Sequence, residues 1–178
     1  ECNECFHPPL YYGFSAFFLY LFSPWISQID PQIVLLQLLN VEIGIFTLLL
    51  LIPIIRSTSL PASMQVLVFS VAALNPQLAA INAQVSNDTL TCFFATLSIF
   101  FLIRYHRDRR SKDGVFASAA SILAALTKAT ALPLLGFCAA YYLIIALAAR
   151  QNRLQSREAL KQAALLLIFG LALIPPGL

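Results

Sequence analysis

Charge is scarce in this sequence. Asp, Glu, Lys and Arg make up only 11% of its 178 residues, where a soluble domain carries roughly a quarter. Hydrophobic residues make up 60% and the mean hydropathy is +0.81, which excludes an ordinary soluble domain and points to a membrane protein. Period-2 alternation is missing from the apolar stretches, which argues against membrane strands and for helices. There is no Gly-rich phosphate loop, no G-x-S-x-G, no H-E-x-x-H and no internal repeat. The P-loop, serine-hydrolase and zincin chemistries and the solenoid folds therefore lose their usual signatures.

Apolar runs fall near 33–55, 63–82, 88–105, 115–149 and 162–178. The fourth is long enough for two crossings, because about 20 apolar residues span a hydrocarbon core about 30 Å thick. The prediction is about six transmembrane helices over 33–178. Ahead of them, Leu10 to Phe22 is too short to span and reads as an interfacial or re-entrant helix. Pro8 and Pro9 suit its start, where a missing N–H costs nothing. Residues 1–32 then form an extracytoplasmic loop carrying this helix. The expected fold class is all-α, a polytopic transmembrane helix bundle with a short interfacial helix at the N-terminal end, in one partial domain over 1–178.

Basic residues orient the bundle. Ten of the eleven Lys and Arg residues lie in three connections: Arg56 in RSTSLPAS, Arg104 to Lys112 in RYHRDRRSKD, and Arg150 to Lys161 in RQNRLQSREALK. The positive-inside tendency makes these loops cytoplasmic, and that accounts for the basic run RYHRDRRSKDG without nucleic acid. FHPPLYY (6–12), Asp30, NAQVSND (82–88) and LTKATALP (126–133) then share the outer side. Lys128 is the one basic residue there, facing Glu1, Glu4, Asp30 and Asp88. Ionisable groups at membrane depth are expensive and commonly line cavities or bind charged ligands.

FHPPLYY before a short apolar helix, VSNDTL opening a later helix, and LAALTKATAL in a hairpin together resemble the GT-C superfamily of polytopic glycosyltransferases. The similarity runs to protein O-mannosyltransferases, lipid A aminoarabinose transferases and their bacterial relatives, and covers essentially the whole chain. FHPPLYY is the most specific of the three motifs. In that family a His- or Lys-Pro-Pro-Leu motif sits in the first extracytoplasmic loop. A first transmembrane helix and an acidic catalytic base, commonly in an Asp-Glu pair, precede it. Because this sequence opens at Glu1 and stops within IPPGL, the resemblance implies a fragment, with its base expected upstream and further helices downstream.

The resemblance also implies transfer of a sugar from a polyprenyl-phosphate carrier to a lipid, glycan or protein acceptor on the outer side, in a multi-pass protein of a bacterial inner (plasma) membrane. Such a site needs cations for the phosphate and a carboxylate for the acceptor's proton. Lys128 and His7 supply cations, and Glu4 is the carboxylate within the sequence. Tyr11, Asn87 and Asp88 complete the substrate-binding set. No cofactor is called for; a divalent metal remains compatible, with no metal ligand assigned.

Each residue also has a plainer reading. His7 can be an interfacial polar residue, and Lys128 can snorkel to the interface. Asn87-Asp88-Thr89 can be a helix N-cap, and Tyr11 and Tyr12 fit an interfacial aromatic belt, which ranks above sugar stacking. Glu42, inside a predicted span, is expected to pair with Asn40 or with a polar group on another helix. Cys2 and Cys5 lack a fourth zinc ligand and the spacing for heme attachment, while a disulfide is allowed. Cys92 and Cys138 read as small hydrophobes. The rival class is a transporter, for which Pro76 and Glu42 would mark broken helices and intramembrane charge. The concentration of polar residues at one face weighs against it.

Overall fold

The computed structural model describes residues 9–24, 28–148 and 153–173. These residues are helical, with no strand among them. The helices are α1 (Leu10–Phe22), α2 (Ile29–Arg56), α3 (Ala62–Ala73), α4 (Pro76–Asn82), α5 (Asn87–Asp108), α6 (Ser111–Thr127), α7 (Leu132–Ala148) and α8 (Arg153–Ala172), with a 3-10 turn at Ala129–Ala131. The chain is an all-α, multi-pass integral membrane protein. Three segments are long and apolar enough to cross a bilayer alone: α2, α5, and the 3-10 turn with α7. α3 and α4 form a fourth as a broken pair bent by 49°. α6 at 17 residues and α8, which carries Arg157, Glu158 and Lys161 in its first half, pack against these spans.

Several predicted boundaries shift for local reasons. The run 63–82 breaks because Pro76 has no N–H to continue a helix and disfavours helical geometry at Asn75. Asn75 caps the new helix instead, its Oδ1 accepting from the Gln77 N–H at 2.9 Å. α2 begins at Ile29, which puts Asp30 in its first turn, where a carboxylate favours the helix dipole. The basic connection after α5 shrinks to Arg109 and Arg110, with Arg109 left-handed at φ 54° closing the helix. α1 is as predicted in extent, and at about 1.5 Å per residue it is about 20 Å long, too short to span.

The main core lies among α5, α6, α7 and α8. α6 contributes small buried side chains, including Ala117, Ser118, Ser121, Ala124 and Ala125, and small residues are what allow membrane helices to approach closely. Gly114 meets the Tyr105 ring, and a Cβ there would sit 3.3 Å from it. Tyr142, fully buried on α7, stacks edge-on to Tyr105 at 5.5 Å and donates its hydroxyl to the Gly114 carbonyl at 2.8 Å. At the same end Arg104 lies over Phe100 and Phe101 and pairs with Asp113 at 3.5 Å.

A smaller cluster of Tyr11, Ile43 and Leu90, backed by Leu39, Phe93 and Phe94, fastens α1 to α2 and α5. Apolar residues such as Leu38, Phe46, Val71, Phe137, Ile144 and Ile168 cover the exterior, as a surface solvated by lipid requires.

Candidate functional site

The site is built where α5 begins and α6 ends. Ser86 caps α5: its Oγ accepts from the Asp88 N–H at 3.1 Å, and its hydroxyl donates to Asp88 Oδ2 at 3.1 Å. The cap is therefore Ser86, a correction to the reading that gave that task to Asn87 or Asp88. Relieved of it, Asp88 reaches across to α6, where Oδ1 accepts from Lys128 Nζ at 2.5 Å.

Lys128 is placed by the end of its own helix. Its backbone is extended, at φ −153° and ψ 131°, while its N–H still bonds the Ala124 carbonyl at 3.0 Å. Both ends of the ion pair are part-buried. Lys128 thus has a specific protein partner, where the plainer sequence reading let it snorkel. Thr89, nearly fully buried, ties the start of α5 to α4 through the Ile81 carbonyl at 3.3 Å.

Beside this pair lies a cavity of about 420 Å³ bounded by Tyr11, Ser15, Leu36, Val85, Ser86 and Asn87, with Tyr12, Ala16 and Leu19 from the same face of α1. Tyr11 is 4% exposed, which corrects its placement in an interfacial belt; Tyr12, 53% exposed, fits one. The Tyr11 hydroxyl accepts from Asn40 Nδ2 at 3.1 Å, and the same amide donates to the Gln84 carbonyl at 2.6 Å. This fully buried Asn40 pins α1, α2 and the α4–α5 connection to one another. Close approach is completed at Gly44, where any Cβ would overlap the Asn82 side-chain amide.

The Asn40 bonds overturn the expected Glu42–Asn40 pairing. Glu42 is exposed, and no hydrogen bond or ion pair reaches it among the described residues. The bond from Asn40 to Gln84 sets the register: Glu42 lies two residues, about 3 Å, along α2 from the level where the site residues gather. Glu42 thus sits midway along α2, inside a candidate span as expected.

Of the sequence-predicted residues, Tyr11, Asn87, Asp88 and Lys128 come together. Glu4 and His7 lie outside the described residues, as do Cys2 and Cys5. Among the described residues no group of three or more His, Cys, Asp or Glu side chains converges as a metal site would require. Sequence reasoning missed Ser86, Ser15 and Asn40. Ser86 had a usable signal, a capping-type serine just before an apolar run. Ser15 and Asn40 had none beyond being polar in an apolar setting.

The family model described as dolichyl-phosphate-mannose-protein mannosyltransferase matches residues 6–176 of the chain. No curated protein matches it, and no solved structure does.

Proposed function

Since the chain belongs to the dolichyl-phosphate-mannose-protein mannosyltransferase family and is accordingly a membrane glycosyltransferase of the GT-C kind, we propose that it takes its sugar from a polyprenyl-phosphate carrier and passes it to a lipid, glycan or protein acceptor on the outer side of a bacterial inner membrane. The observation that carries this reading is Lys128, held by Asp88 at the mouth of the bundle beside the cavity under α1. A carrier phosphate has to stop at the interface while its lipid stays in the bilayer. A part-buried ammonium at a helix end suits that position, because it strengthens as water is excluded.

Asp88 gives one oxygen to Lys128 and the other to Ser86. Both oxygens being committed, its role here is to position Lys128. Glu4 is the carboxylate offered as the base, with His7 a second cation for the phosphate. The direct test reconstitutes the full-length protein in vesicles with a labelled polyprenyl-phosphate sugar. Transfer to an acceptor supports the reading; neither binding nor turnover of any such donor refutes it.

Sidedness has its own test. Arg56 and the cluster Arg104 to Lys112 lie at the ends of α2, α5 and α6 opposite to the ends that carry Asp30, Asn87 and Lys128. By the charge rule the latter ends face outward. In a background without native cysteines, a cysteine at exposed Val85 is expected to react with a membrane-impermeant thiol reagent in intact cells. One at exposed Ser111 is expected to stay protected until the cells are opened. The reverse pattern puts the site on the wrong side of the membrane.

A further inference from the structure

A second cavity opens where α2 turns into α3, at the end of the bundle away from Lys128. Ile52, Ile55 and Arg56 form one wall on α2, and Gln65, Val66 and Phe69 form the other on α3, around a volume of about 400 Å³. The groove exists because the two helices meet loosely: α3 leans on α2 yet buries none of its own residues. A gap of this size beside fluid lipid fills, since unoccupied space forfeits dispersion contacts on both walls. Away from Arg56 and Gln65 the walls are apolar, so the filling there is hydrocarbon.

Arg56 decides what sits at the mouth. It closes the last turn of α2, is exposed, and no hydrogen bond or ion pair reaches it among the described residues. Other basic residues toward this end are matched by carboxylates: Arg104 by Asp113, Arg107 by Asp108 and Lys161 by Glu158. The polar groups beside Arg56 are already committed. Ser57 and Thr58 donate to the Ile54 and Ile55 carbonyls, both at 2.6 Å, and the Gln65 amide donates to the Leu60 carbonyl at 2.8 Å. A cation without a carboxylate, set at the mouth of an apolar slot, is complementary to a phosphate that carries a fatty chain. Arginine suits that task because its planar fork matches two phosphate oxygens. The basic residues around it add a positive field, which favours lipids of net negative charge over zwitterionic ones.

We propose that this groove binds an anionic phospholipid of the adjacent leaflet, with its phosphate on Arg56 and one acyl chain between α2 and α3. The proposal stands apart from the carrier reading, because Arg56 and the Asp88–Lys128 pair lie at opposite ends of the bundle.

Lipid titration of the full-length protein in detergent, read by native mass spectrometry, provides the test. The wild type is expected to hold phosphatidylglycerol more tightly than phosphatidylcholine with the same chains. Arg56→Gln is expected to lower the phosphatidylglycerol affinity about fivefold and to remove most of the preference, as loss of one basic residue at a lipid surface implies. Lys112→Gln, also exposed but outside the groove, should keep both. Val66→Trp fills the slot from α3 without changing charge and should weaken both lipids, which gives a second test should Arg56→Gln lose its fold. Equal losses in Arg56→Gln and Lys112→Gln overturn the site in favour of a diffuse basic surface. A wild type without preference overturns it as well, as does Val66→Trp with phosphatidylglycerol binding intact. Displacement of the lipid by inorganic phosphate alone would leave only an ion site, and tighter Arg56-dependent binding of bare polyprenyl phosphate would give the groove to the carrier; either result also defeats the proposal.

Discussion

Full-length Lys128→Ala is expected to insert and fold but to lose sugar transfer by roughly one to two orders of magnitude, because a charge-assisted contact to phosphate is worth about 1.5–3 kcal/mol and each 1.4 kcal/mol is tenfold. The fold should survive. The ion pair to Asp88 is part-buried on both sides, and pairs in that setting contribute about 1 kcal/mol or less. Asp88 also keeps its bonds to Ser86 when the lysine is gone. The structural loss is therefore much smaller than the catalytic one, and a thermal melt beside a transfer assay separates them.

Two companions sharpen this result. Lys128→Arg retains the charge in a different shape and should keep part of the activity. Asp88→Asn leaves an amide oxygen for the ammonium, so its loss should be smaller than that of Lys128→Ala. Wild-type turnover by a well-folded Lys128→Ala protein removes the lysine from the site and leaves His7 as the cation to examine.

The residues differ in how far the sequence revealed them. Lys128 could be singled out because the sequence isolates it: ten of the eleven basic residues fall in three connecting segments and this one does not. Motif order added Asn87, Asp88 and the start of α1. Hydropathy placed the long helices, since lipid demands about 20 apolar residues and tolerates little else. It missed the break at Asn75, where one proline outweighs the apolar content on either side.

Asn40 shows the same limit from the other side. Its neighbour in sequence, Glu42, looked like its natural partner, yet two positions along a helix face different directions and do not meet. Its partners are Tyr11 and Gln84, 29 and 44 residues away. No local pattern encodes that contact. Buried polar side chains in an apolar bundle mark where two distant segments touch without saying which, and the packing that decides it comes from Gly44, Ile43 and Leu90 around them.

The largest effect on stability is expected at Tyr142, whose side chain joins three helices. It is fully buried, lies edge-on to Tyr105 of α5, and donates to the Gly114 carbonyl of α6. In a bilayer the usual transfer contribution is muted, because lipid is as apolar as the protein core. The cavity left by Tyr142→Ala and the lost hydroxyl and ring contacts remain, and large-to-small core changes of this kind cost about 3–5 kcal/mol. Ile144→Ala on the same helix is the contrast: that side chain is 65% exposed on the outer surface, so its truncation trades lipid contact for lipid contact and should change little. Tyr142→Phe, which keeps the ring and loses only the hydroxyl, should fall between them at about 1 kcal/mol. Melting curves in detergent or nanodiscs that show Tyr142→Ala no weaker than Ile144→Ala would mean that α5, α6 and α7 do not pack through this tyrosine, and the placement of Lys128 at the end of α6 would lose its support.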